Sequence, residues 1–544
     1  MKRVATGLLL AVIATQLFGC GSESLTSYTI GGNVSGLNGT VTLSNNANDT
    51  KVLSVNGAFT FPTALASGAY SVTVSTQPAG QTCSVTNGSG VITGAPVTNV
   101  LISCVGKPYS VGGTVSGLLT GSSVTLVNND IDVKTPNTNG TFVFDNTVLS
   151  GSTYAVKVSN QTAGNPCSVS NGSGVVSAAN VTNVSITCGT TVTYVANKSS
   201  NTISRFVVTA TGGLTSADTT ATLAQPVSIK VDPSGKYAYV IYQAGGTNTT
   251  PSQNKISQFT IDAGGALTPM TVPDVTLPCV SKNPCPSVYS FAIDASGKYL
   301  YAVDYLYNTV WQYGIGSNGT LTALSPASVS TGAGPYSVTI DPSGKYAYVT
   351  NWGVDGAPGN TISQYTICPS AATSCTPGTL QSLGTVSTGT TGSGPYFMVI
   401  DKSSKYAYVT NGNTNTISKF DIGVDGSLTF TAGTSNPIDS GGNLPFHLTM
   451  DSTGKYLYVV NTTSGAIGRF SIGSTGALTS LGSSTVAPGV IDIAVEPTGQ
   501  FLYATSNTSN SVLQFSLNSS TGALSAIAPS SVPTGIYPIG ITIH

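Results

Sequence analysis

The sequence predicts an all-β chain: a seven-bladed β-propeller preceded by two small N-terminal β-sandwich modules. Three observations predict it. A phrase built on Asp-Pro-Ser-Gly-Lys-Tyr-Ala-Tyr-Val recurs through the C-terminal two-thirds. A shorter phrase, Cys-Ser-Val-x-Asn-Gly-Ser-Gly, occurs twice before it, starting at Cys83 and Cys167. Charged residues make up only 7% of the 544 positions, against about 25% in an average soluble protein. Gly, Ser, Thr and Asn supply the polar surface instead, a composition that favours strands joined by tight turns. No helical period follows the first twenty residues.

The chain opens with Lys2 and Arg3, then an apolar run from Val4 to Phe18. The run is too short to cross a bilayer as a helix. It ends Leu17-Phe18-Gly19-Cys20, which resembles the lipobox of bacterial lipoproteins. That resemblance implies removal of residues 1–19, a lipid on Cys20, and a short linker over 20–27. Attachment to a membrane then needs no transmembrane helix. Gly21, rather than Asp, implies the outer membrane, facing the periplasm or the cell surface.

With Cys20 set aside, eight cysteines remain: Cys83, Cys104, Cys167, Cys188, Cys279, Cys285, Cys368 and Cys375. They fall into sequential pairs, and the first two pairs share a separation of 21 residues. An even set with repeated spacing in an exported chain reads as disulfides. Zinc would want more closely spaced cysteines or His partners. No metal and no cofactor are expected.

The two Cys-Ser-Val phrases mark a tandem duplication over 28–105 and 106–189. Within it, Gly68-Ala69-Tyr70-Ser71-Val72-Thr73-Val74 alternates as a half-buried strand should. The repeats resemble prealbumin-like or Ig-like sandwich modules of bacterial surface proteins, which implies a spacer role.

The ring is expected over 190–544. The turn phrase or a relative begins at Asp232, Asp294, Asp341, Asp401, Asp451 and Glu496, at spacings of 62, 47, 60, 50 and 45 residues. Such a period, with several strands per repeat, signals a propeller. One four-stranded sheet cannot bury both faces alone, but sheets stacked radially can. Strands near Tyr194, Tyr237, Tyr299, Tyr346, Tyr406, Tyr456 and Phe501 give seven blades. The chain enters on a second strand and leaves on an inner one, so 538–544 is expected to complete the first blade and remove two exposed edges. Tyr348-Val349-Thr350-Asn351 and Tyr408-Val409-Thr410-Asn411 closely resemble the YVTN repeats grouped with the lactonase-like seven-bladed propellers.

Composition bounds function. Lys and Arg number 19 and the net charge is −1, which leaves no electrostatic footprint for nucleic acid. His447 and His544 are the only histidines. The resemblance to lactonase-like propellers implies hydrolysis of a phosphosugar lactone at the ring's mouth, as in the 6-phosphogluconolactonase-like members. The family often shows Gly-Pro-Arg-His before an inner strand and a Glu after Val-Val-Asn of the same blade. Here Pro445-Phe446-His447 and Val459-Val460-Asn461-Thr462 keep the His and lose the Arg and Glu. Asp304 matches an acidic position of another blade. His447 and Asp304 are therefore the catalytic candidates, set against a packed histidine and a capped loop. Tyr336, Tyr396, Phe446 and Tyr537 are the ligand-binding candidates, set against a mere plug for the channel.

Without the cationic clamp and the acid, sequence alone favours a non-catalytic module. On that reading a membrane-anchored propeller docks a protein or glycan partner at the cell envelope. A lactonase-type hydrolase with a degenerate site, or a purely structural envelope component, is the alternative.

Overall fold

The computed structural model describes residues 26–544, apart from 120, 163, 244–254, 263, 279–287, 355–356, 373, 432 and 434–435. Every regular element in the described residues is a strand, and none of their elements is a helix able to cross a membrane. Cys20, Cys279 and Cys285 lie outside them.

Residues 30–106 and 108–188 each form two four-stranded sheets around one core. In each repeat the first strand runs parallel to the last, Ile30–Ser35 beside Val97–Gly106 and Pro108–Ser116 beside Val181–Cys188. Cys83 faces Cys104, and Cys167 faces Cys188, directly across an antiparallel pair, and both pairs are bonded. Cys368 and Cys375 form a third disulfide.

Seven further sheets of four strands follow, six of them in sequence order; one also carries the short strand Ile438–Asp439. Blade 1 takes its inner strand, Pro538–Ile543, from the end of the chain. That strand pairs antiparallel with Val192–Asn197. Blades 2 to 7 begin on Pro226–Val231, Val288–Ile293, Pro335–Ile340, Pro395–Ile400, Pro445–Met450 and Val490–Val495. Each inner strand touches the next, and the contacts return from the seventh to the first. The ring is closed.

The repeated letters explain the closure. Asp341 Oδ1 accepts the amides of Lys345 and Tyr346, and Oδ2 accepts the amide of Ser343, so the carboxylate caps the turn. In the next strand Tyr348 is buried and donates its hydroxyl to the carbonyl of Gly426 in blade 5, at 2.7 Å. The same bond recurs at every blade boundary, from Tyr194 to Gly265 through to Tyr503 and Gly212. Thr350 Oγ1 reaches the carbonyl of Tyr396 in the following inner strand, at 2.6 Å. Asn351 Nδ2 holds Thr361 and Ser363 of its own blade.

The acceptor must be glycine. Gly426 has φ +83°, and a Cβ there would lie 2.1 Å from the Tyr346 ring. Gly319, Gly378, Gly476 and Gly522 stand the same way under Tyr237, Tyr299, Tyr406 and Tyr456.

Candidate functional site

The inner strands carry the mouth. Each begins with a break in register. In blade 4 Pro335 faces Asn351 while Ser337 faces Thr350, so Tyr336 is squeezed out of the ladder. In blades 5 and 6 the break spans two residues, Tyr396-Phe397 and Phe446-His447. Bulges of this kind re-aim side chains. The loop before each strand is held by a second device. Asn308, Asn415 and Asn510 each accept, through Oδ1, the amide of the residue just before the inner strand: Gly334, Leu444 and Tyr537. Leu444 and Tyr537 adopt φ +56° and +60° there, a backbone shape that such anchoring has to hold.

The mouth encloses a cavity of about 290 Å³, at the small end of ligand sites, which run to roughly 300–1,000 Å³. It has two unlike sides. On the side of blades 3 to 6, Tyr289, Tyr336, Phe397 and Phe446 line it, backed by Tyr305, Trp352 and Tyr396, and neighbouring ring centroids in this cluster lie 4.8–6.2 Å apart. Burial pushes the hydroxyls of Tyr336 and Tyr396 above the usual phenol range, so both stay neutral. Blades 6, 7, 1 and 2 supply the polar side: His447, Asp492, Lys198, Lys230 and Gln243.

His447 Nδ1 lies 3.0 Å from Oδ1 of Asp492, close but not aligned as a full hydrogen bond. Phe397 meets the imidazole edge to face at 4.5 Å. Asp492 also accepts the amides of Ile493 and Ile541, at 2.7 and 2.9 Å. Burial works against its charge, but His447 and these two amides outweigh that and hold the carboxyl below the usual range. Lys230 projects from the inner strand of blade 2 into the cavity. Burial lowers its pKa, with Asp492 opposing. Lys198 is lowered by burial too. It donates to Gln243 Oε1 at 2.6 Å, and Gln243 Nε2 donates to the Tyr289 hydroxyl at 3.1 Å.

The sequence candidates fall in different places. His447, Tyr336, Phe446 and Tyr537 line the cavity. Tyr396 packs behind them, against Tyr336, Phe446 and Trp352. Asp304 is fully buried and does not line it. Its Oδ1 accepts the amides of Leu306 and Tyr307, and its Oδ2 the indole N–H of Trp311, at 3.1 Å.

Sequence reasoning sought a Glu within the histidine's own blade, offered Asp304 of blade 3 in its place, and missed Asp492 in blade 7. Asp492 and His447 both occupy the third place of their inner strands, and comparing that place across blades would have found it. Lys198 and Gln243 are likewise the residues just after the Tyr-Val-x-Asn strand in blades 1 and 2.

A larger hollow, about 720 Å³, lies on the opposite face between blades 3 and 4. Its one carboxylate, Asp294, is already taken up by turn amides. No metal-ligand cluster occurs among the described residues.

Residues 252–491 match the family model described as "Lactonase, 7-bladed beta-propeller". The ring is a seven-bladed β-propeller, and that family model covers part of it. Solved structures share this architecture. A provisional 6-phosphogluconolactonase of Bacteroides fragilis is 21% identical with a TM-score of 0.52, over 65% of this chain and 98% of that one. The periplasmic gluconolactonase PpgL of Pseudomonas aeruginosa is 17% identical with a TM-score of 0.54, over 65% and 98%. A protein from Lactobacillus plantarum gives 17% and 0.54, over 65% and 99%. At these identities the likeness is one of fold. No curated protein matches the chain.

Proposed function

We propose that the ring hydrolyses a lactone at its mouth, with His447 as general base and Asp492 behind it. The observation that carries this reading is the 3.0 Å contact between His447 Nδ1 and Asp492 inside a cavity of small-molecule size. Asp492 engages Nδ1, which leaves Nε2 for a water. That water adds to the lactone carbonyl while Nε2 takes its proton. The ammonium of Lys230 offsets charge building on the carbonyl oxygen. The ring C–O bond then breaks and the proton passes from Nε2 to the departing oxygen, giving a hydroxy acid. Lys230 and Asp492 thus stand in for the missing Arg and Glu. Asp304 positions the loop after its strand and takes no part in the reaction.

We place the ring at the cell envelope. A lipid on Cys20 would hold the chain at the cell envelope, and three disulfides suit an oxidising compartment. The two N-terminal repeats would space the ring from the membrane.

The test is hydrolysis of lactones by the purified protein, followed by acid release. His447→Gln is expected to lower kcat by about 10²–10⁴ with the fold retained. Equal turnover in the variant would refute the assignment. A second reading, docking of a protein or glycan, has support from Ile536 and Tyr537, which are 58% and 40% exposed at the rim. It predicts ligand capture without turnover.

A further inference from the structure

We infer that the substrate is a lactone with a flat, unsaturated or aryl face, rather than a fully hydroxylated sugar lactone. This rests on the hydrolase reading and adds the substrate class.

The two sides of the mouth differ. The polar groups are gathered on one side, where they can address the ester. Beside them, Phe446, Phe397 and Tyr336 meet one another at 5.2–5.7 Å, edge to face. Tyr396 and Trp352 back this wall, their rings 6.0 Å apart and only 30° from parallel. Phe397 meets the imidazole of His447 itself at 4.5 Å, so a ring held with its carbonyl toward His447 and Lys230 lays a face against aromatic carbon. Neither Phe446 nor Phe397 can accept or donate a hydrogen bond. Hydroxyls pressed there would lose water and gain no partner. A flat unsaturated face loses nothing and stacks. The size agrees, since about 290 Å³ holds one or two fused rings.

The experiment compares two lactones and one inert analogue. Dihydrocoumarin is the aryl-fused lactone, glucono-δ-lactone the hydroxylated one, and 3,4-dihydroquinolin-2-one the non-hydrolysable lactam. The chain has two tryptophans. Trp352 lies directly behind the wall, 6.0 Å from Tyr396, whereas Trp311 is buried in blade 3 against Asp304. Binding of the lactam is expected to change Trp352 emission, and Trp352→Phe should abolish the change. Dihydrocoumarin should be preferred at least tenfold in kcat/KM. Phe446→Leu and Phe397→Leu should each weaken lactam binding about tenfold. Lactam binding with no turnover of either lactone would sustain the ligand class and sink the hydrolase reading. Efficient hydrolysis of glucono-δ-lactone without lactam binding would overturn the inference and leave the hydrolase standing. Absence of lactam binding and of all turnover would overturn both.

Discussion

His447 and Asp492 occupy the same step of two neighbouring inner strands, and 3.0 Å separates Nδ1 of one from Oδ1 of the other. The pair therefore bridges blades 6 and 7 rather than lying within one sheet. Its geometry depends on the two blades keeping their spacing. Tyr458 bonds Gly522 across the same two blades, while the amides of Ile493 in blade 7 and Ile541 in blade 1 hold the Asp492 carboxylate.

Acid should loosen this junction. The Asp492 carboxyl titrates below its usual range in the folded protein. A depressed carboxyl contributes stability that is present above its unfolded pKa, about 3.9, and is lost as pH falls through the folded value. Stability of the intact chain should thus decline below about pH 4. Asp492→Asn should decline less over that window. Denaturant midpoints across pH 2–6, an interval set by the usual carboxyl range, measure the difference. Parallel curves for the two proteins would reject it.

Lys230 should set an alkaline limit on turnover. Burial lowers its pKa, so its charge is lost as pH rises through a value below the usual 10.4 or so. If the ammonium assists the reaction, the rate falls there. Lys230→Met should give a low, pH-flat alkaline profile, and Lys230→Arg should move the fall to higher pH. A wild-type profile in Lys230→Met would remove the lysine from the mechanism.

Ring closure should be measurable at a single hydroxyl. Tyr503 is buried and donates to the carbonyl of Gly212 at 2.7 Å, across the join between blades 7 and 1. Tyr503→Phe leaves that carbonyl without its donor and should cost about 1–3 kcal/mol, read as a lower denaturant midpoint. Removing 538–544 should do far more, because it strips the inner strand from blade 1 and bares an edge. Cooperative unfolding of the truncated chain at the original midpoint would contradict the closure.

Two glycines separate backbone freedom from crowding. Gly426 and Gly384 have φ +83° and +95°. A Cβ at Gly426 meets the Tyr346 ring at 2.1 Å, and that ring is fixed by its bond to Val424. Nothing lies within 4 Å of a Cβ at Gly384. Gly384→Ala should cost about 1 kcal/mol from conformation alone. Gly426→Ala should cost about 2–4 kcal/mol, since overpacking is added. Thermal melts of the two variants test the contrast.

Much of this protein was legible in the order of its residues. The turn carboxylates, the Tyr-x-Tyr strands and the phase shift between entry and exit specify seven sheets and their closure, because each motif acts over a few residues and is repeated. His447 was legible for the same reason, as an odd letter in a repeated place. Its partner was not. Asp492 lies 45 positions onward, and only the ring brings third-place residues of adjacent inner strands within 3.0 Å. Likewise Lys198, Gln243 and Tyr289 come from three blades, and their chain of hydrogen bonds exists only around a closed axis. Local motifs are set by short-range sterics and hydrogen bonds, which a linear sequence displays. The two-sided mouth is set by which blades face each other across the channel, and that the tertiary structure alone decides.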